Sequence, residues 1–272
     1  MKYKIDHDYH IHSQLSTCSN DPEQTPQRIL DFAVKNGLKT ICLTDHFWDE
    51  TVEKLPTGGW ATEVYQKQNF AYICQAKPLP TANDVEFLFG CETEMDMHGK
   101  LGISKERMNE FAFIIIPTTH MHMNEFSVSK EDFCKPERLA KLWVERIDML
   151  LDKDLPFYKM GLAHPSCSLI NVASEEAFLH TLDLIDEKEM ARVWKKAAAK
   201  GLGIELNTGD AARVLKCDVV YKMFKLAKEQ GCKFYLGSDA HHPKEHTDSL
   251  PFFEKAIEKL GLTEEDKFHI GK

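Results

Sequence analysis

Near its N-terminus the chain runs Tyr9-His10-Ile11-His12, a short apolar stretch that closes on two imidazoles. Side chains of an extended strand alternate with period two, so His10 and His12 fall on one side. Imidazole is the commonest metal-binding side chain, and such a pair suits a single ion. The same kind of ending recurs down the chain. Residues 40–44 lead to Asp45 and His46, 85–90 to Glu92 and Glu94, and 111–117 to His120 and His122. Residues 159–163 lead to His164, 203–206 to Asn207, and 233–236 to Asp239-x-His241.

Amphipathic stretches separate these runs. Thr25-Pro26 opens a helix that Gly37 stops; others are expected over 136–151, 187–200, 219–230 and 252–260, with a further helix start at 174–176. Short strands alternating with helices predict parallel βα units. An open sheet would hold its outer strands too far apart for one shared site. Polar endings on every strand therefore favour a closed or nearly closed barrel, where the strand C-termini meet on one face. No stretch reads as a linker, so residues 1–272 are expected to form one domain. The long segment from 47 to 80 carries Trp48, Trp60, Tyr65 and Tyr72 and reads as a lid or as packing at the barrel mouth.

Composition excludes several classes of function. With 34 basic and 43 acidic residues the net charge is −9, a field that opposes polyanions and argues against a nucleic-acid partner. No apolar run approaches the roughly 20 residues of a membrane span. The first residues carry no apolar signal core. Eight scattered cysteines form no C-x-x-C pair, so reduced thiols and a cytoplasmic location are expected. Cys42, Cys74, Cys91, Cys217 and Cys232 read as core. Six of the 13 histidines (His7, His98, His180, His242, His246, His269) read as surface or supporting groups. The strand-end set mixes His, Asp and Glu without a thiolate cluster, which suits catalytic Zn, Mn or Fe. It exceeds the needs of one ion, so two or three divalent ions are expected.

Taken together, His10-Ile-His12, Thr44-Asp45-His46, Gly90-Cys-Glu92, Thr119-His120, Ala163-His164-Pro165 and Gly237-Ser-Asp239-Ala-His241 resemble the polymerase-and-histidinol-phosphatase (PHP) family in order and spacing. The match spans about residues 9–243, and the segment 204–209 is similar to histidinol-phosphatase-type members. The resemblance implies a distorted (β/α)7 TIM-like barrel and metal-dependent hydrolysis of a phosphate ester. It places one ion on His10, His12, Glu92 and Asp239. Glu92 would bridge to a second ion held also by His120 and His164, with His46 and His241 serving a third. One position departs from the family. Where many relatives carry another third-site histidine, this chain has Cys18, with Asp21 as a possible substitute.

The implied substrate is a small phosphorylated metabolite such as L-histidinol phosphate. Asp45, His46 and His241 are the candidates for catalysis by motif position. Arg213, soon after Asn207, is the candidate for a forked phosphate contact, with Asn207 and His122 as further substrate-side candidates, His122 lining the pocket. An amidohydrolase-like C–N hydrolase also begins with His-x-His, but those barrels commonly bridge their metals with a mid-barrel lysine, and residues 111–122 contain none. A metal-binding barrel without catalytic activity is the remaining alternative.

Overall fold

A computed structural model describes residues 1–19, 21–53 and 60–271, without the side chains of 60–63. The Trp60 side chain thus lies outside the described residues. In chain order come β1 (His7–Ile11), α1 (Pro26–Asn36), β2 (Thr40–Leu43), β3 (His46–Phe47), α2 (Trp60–Lys67), α3 (Phe70–Ile73), β4 (Glu86–Phe89), β5 (Cys91–Thr93) and β6 (Ile114–Ile116). There follow α4 (Pro136–Leu151), β7 (Met160–Leu162), α5 (Glu175–Asp183), α6 (Glu187–Lys200), β8 (Gly203–Asn207), α7 (Thr208–Lys216), α8 (Asp218–Glu229), β9 (Lys233–Gly237) and α9 (Pro243–Leu260).

Every strand pairing is parallel, in the orders β1-β2-β4 and β3-β5-β6-β7-β8-β9. β2 and β3 are halves of one extended stretch, as are β4 and β5. The second break falls at Gly90, where a Cβ would come within 2.5 Å of Phe113 O and 2.7 Å of Cys42 Sγ. Only glycine allows that approach. The first and last strands are joined through their ends: Asp239 N–H donates to His10 O at 2.7 Å and His12 N–H to Ala240 O at 3.1 Å. The α/β, barrel-like arrangement expected from the alternation is therefore present.

Alternation sorts each strand between two environments. In β8, Ile204 and Leu206 join the main apolar core, while Glu205 between them bonds to groups of the candidate site. A second apolar cluster gathers Tyr9, Cys42, Ile115 and Tyr235 from strands far apart in the sheet order, with Phe113, Ala163 and Phe268 beside them. A register shift in β1 between Asp8 and Ile11 lets Tyr9 join this cluster while the adjacent His10 also reaches Glu205. Outside, α4 meets α6 through an edge-to-face pair, Trp143 on Trp194, with centroids 5.3 Å apart.

Several local expectations need correction. The last helix begins at Pro243, not 252, because His242 and Glu245 form a capping box and Pro243 occupies the first turn; Pro251 sits inside it. Asn207 caps an unforeseen helix, α7, by accepting from Gly209 N–H at 2.8 Å. Of the histidines expected at the surface or in support, His7 and His246 take the buried, supporting place, whereas Cys74 and Cys217 are only half-buried.

Candidate metal centre

The strand C-termini bring Glu92 to the middle of a ring of imidazoles. Its Oε2 lies 3.5 Å from His10 Nε2, 3.3 Å from His12 Nε2 and 3.0 Å from His46 Nδ1, and its Oε1 lies 3.4 Å from His164 Nε2. Asp239 Oδ1 stands 3.3 Å from His10 Nε2 and 3.2 Å from His12 Nε2. His10, His12 and Glu92 are almost wholly buried. Above them a cavity of about 180 Å³ is walled by Thr17, Cys18, His46, Val64, Tyr65, Glu92, Glu94, His120, His122, Met123, His164, Leu169, Asp239 and His241. A larger open groove of about 860 Å³ beside α1 and the start of α9 contains none of this set.

Five of the imidazoles are held from behind in the same way. His10 Nδ1 bonds Glu205 Oε1 at 2.8 Å and His120 Nδ1 bonds Glu94 Oε1 at 2.7 Å; ionised carboxylates only accept, so each Nδ1 carries the proton. His241 Nδ1 donates to the Asp239 carbonyl at 2.8 Å. Ser16 Oγ gives its proton to Asp45 Oδ1 at 2.9 Å and therefore accepts from His12 Nδ1 at 2.8 Å. Thr119 Oγ1 likewise donates to His164 O at 3.2 Å and accepts from His164 Nδ1 at 3.1 Å. In the neutral imidazole each Nε2 then holds the lone pair that a metal ion would take. Partners of this kind orient metal-ligating histidines and raise their basicity.

The Nε2 atoms of His10, His12 and His164 thus confront carboxylate oxygens, and Glu92 Oε1 accepts no hydrogen bond among the described residues. Such an arrangement calls for cations between the groups. The charge balance agrees. A proton answers the same demand: burial opposes charging His10, but Glu205, Asp239 and Glu92 overcome it and push its pKa well above the usual range. Burial likewise disfavours the carboxylates, yet the imidazoles hold Glu92 and Asp239 well below theirs. Four sets of side chains bring their ligand atoms within 4.8 Å of one another: His10/His12/Glu92, His10/His164/Asp239, Glu92/His120/His164 and His12/Cys18/His46/His241. The donor chemistry fits divalent ions. Two of these residues, Asp239 (φ 56°) and His164 (φ 26°), hold left-handed backbone that non-glycine residues seldom adopt.

The remaining candidates fall elsewhere. Asp45 does not line the cavity: its oxygens take Ser13 N–H and Oγ–H at 2.7 Å each, besides Ser16 Oγ. Through Ser16 it supports His12 from behind, off the cavity wall on which His46 and His241, the other two candidates for catalysis, are found. Arg213 is also absent from the cavity wall. It lies on α7 with its guanidinium 5.2 Å over the Phe178 ring, and its Nη1 turns back to the helix start, 3.1 Å from where a Cβ on Gly209 would sit. Asn207 Nδ2 is 3.4 Å from both Glu205 Oε1 and Asp239 Oδ2, at the edge of the set. His122 does line the cavity, as do Tyr65 and, near His46, Cys18. Trp48 is buried against Tyr65 and Phe126, as packing. Glu205 was missed as a site residue; an acid alternating with Ile204 and Leu206 in a buried strand was its signal.

The PHP domain model matches residues 8–209. No curated protein sequence matches the chain. Among solved structures, the fold is similar to histidinol phosphate phosphatase HisK from Lactococcus lactis subsp. lactis Il1403, complexed with Zn, L-histidinol and phosphate. The TM-score is 0.60 at 17% identity, over 97% of this chain and 98% of that one. It is also similar to the putative histidinol phosphatase HisK from Listeria monocytogenes, with TM-score 0.59 and 15% identity over 88% and 96% of the two chains.

Proposed function

This chain belongs to the PHP domain family, and on that premise we propose that it is a metal-dependent phosphoesterase acting on a small phosphomonoester. The observation that carries the proposal is the convergence of imidazole Nε2 atoms, each oriented through its Nδ1, and buried carboxylates around Glu92. Divalent ions bound there would lower the pKa of water and offset charge on phosphoryl oxygens. We assign His10, His12, Glu92 and Asp239 to one ion, and Glu92, His120 and His164 to a second. His46, His241 and Cys18 form an outer corner nearer the cavity mouth.

The chain's own contribution is placement. Glu205, Glu94, Ser16, Thr119 and the Asp239 carbonyl fix the tautomer and angle of each imidazole, so little reorganisation is required when charge develops. Glu94 also accepts from Tyr65 O–H at 2.7 Å, which holds Tyr65 in the cavity wall. Val64, Met123 and Leu169 give that wall its apolar part and restrict water around the substrate's organic half. We place the leaving oxygen beside His46 and His241, since they line the cavity and Asp45 does not, so that a cation held by them would meet its charge. We place the protein in the cytoplasm on the strength of its eight free cysteines. No helix among the described residues is long and apolar enough to cross a membrane.

L-Histidinol phosphate is the first substrate to try, because the similar Lactococcus protein was solved with L-histidinol and phosphate. The test is phosphate release from a panel of phosphomonoesters after reconstitution with Zn, Mn or Fe. A marked preference for histidinol phosphate supports the specific proposal. Release from other small monoesters keeps the phosphoesterase and rejects that substrate. Silence with every metal rejects both.

A further inference from the structure

We propose that Cys18, with His46 and His241, makes the outer corner of the site a mixed thiolate–imidazole position that selects a thiophilic divalent ion such as zinc. This rests on the metal-dependent reading given above and goes beyond it by naming which ion the outer corner takes, and why.

Cys18 Sγ lies 2.8 Å from His241 Nε2. The Nδ1 of that imidazole donates to the Asp239 carbonyl at 2.8 Å, so the nitrogen facing the sulfur is a lone-pair donor. The ligand atoms of His12, Cys18, His46 and His241 all lie within 4.8 Å of one another. His12 is already committed: its Nε2 points at Glu92 and Asp239, and its ring stacks on His241 with centroids 4.2 Å apart. Three groups remain for the outer ion.

Cys18 is not a loose surface thiol. The loop is tied on both sides of it, by Thr17 N–H to Gln68 Oε1 at 2.7 Å and by Ser19 Oγ–H to the His241 carbonyl at 2.8 Å. The second tie runs to the residue whose imidazole faces the sulfur. Asp21, the other candidate in this loop, is engaged elsewhere: its Oδ2 lies 2.9 Å from His242 Nε2. An oxygen ligand at this corner would leave it open to Mn or Mg. A thiolate favours zinc, cobalt or cadmium instead.

The test is titration of the metal-free native protein with Co(II), and separately with Cd(II), read both by bound metal and by thiolate-to-metal charge-transfer absorption. We expect a band that saturates with only one of the bound equivalents. Cys18→Ser should lose the band and that equivalent while retaining the others, and Cys18→His should regain the equivalent without the band. Cys167→Ser, which removes the thiol nearest His164, should keep it. Native protein that binds several equivalents with no band overturns this proposal alone, as does a band that survives Cys18→Ser. Native protein that binds no ion overturns both this proposal and the metal-dependent reading. Circular dichroism of the variants checks folding, which replacement of the exposed Cys18 should leave intact.

Discussion

Glu205 Oε1 accepts from His10 Nδ1 at 2.8 Å, while its other oxygen accepts the His164 backbone N–H at 2.6 Å. One buried carboxylate thus orients a ligand candidate of β1 and the loop that carries a second one. A Cβ at Gly237 would collide with this carboxylate and come within 2.6 Å of His10 Cβ, so the neighbouring strand must carry glycine there. Glu205→Gln keeps the shape but turns an obligate acceptor into a group that can also donate. We expect metal affinity to fall about 10–100-fold, measured by competition with a chelator, with the far-ultraviolet spectrum unchanged.

Asp45 separates a positioning role from a catalytic one. Through Ser16 it holds His12, so Asp45→Asn should weaken metal binding and lower activity at limiting metal by about 10-fold or more. Excess metal should restore most of the rate. A loss of rate that persists at saturating metal, with a changed acid limb in the pH profile, would return Asp45 to direct proton transfer.

Arg146 lies wholly buried in α4 and donates to four backbone carbonyls: Thr118 O at 2.7 Å, Asp96 O at 3.1 Å, Ser127 O at 2.9 Å and Met95 O at 2.6 Å. It ties together the loops that follow β5 and β6, which carry Glu94 and His120. Arg146→Met would leave those carbonyls without their donor, and we expect a loss of roughly 3–5 kcal/mol in urea unfolding. A change below about 1 kcal/mol would mean that the loops hold their shape without it.

His246 supplies a pH dependence remote from the metal candidates. Burial lowers its pKa from 6.5 to about 4. Asp8, the nearest carboxylate at 4.0 Å, is itself pushed up to about 7 by burial and gives it little support. Between those two histidine values the unfolded chain binds the extra proton at this imidazole, so the contribution of His246 to stability rises with pH across the window and is lost as pH falls from 6.5 towards 4. The full effect is roughly 3 kcal/mol at most. His246→Asn should unfold with a shallower pH slope than the native chain in that range; identical slopes would show that this imidazole charges without cost.

The strands and most helices were legible because their signals are local: an apolar run ending in polar groups, Thr25-Pro26 and Gly37 around α1, Gly201 after α6. The start of α9 was hidden by Pro251, which reads as a stop but is tolerated once His242 and Glu245 have capped the helix. For the site, strand-end position was enough to bring His10, His12, Glu92, His120, His164, Asp239 and His241 into view. It could not sort metal-facing groups from those behind them. Asp45 and Glu205 illustrate the difficulty: one follows a strand and turns toward serines, the other sits mid-strand and turns inward. Arg213 shows another limit: a helix begins at Thr208, and only the folded side chain, over Phe178 and turned back toward Gly209, shows where its guanidinium lies.

The most direct test of the central claim is the metal content of the native chain purified without chelator, by inductively coupled plasma mass spectrometry, alongside Glu92→Ala. Because Glu92 belongs to two of the convergent ligand sets, the native protein should carry two or three divalent ions and the variant should lose at least two. A native chain that carries none, even after supplementation with Zn, Mn or Fe, or a variant that keeps its full complement, would contradict the account.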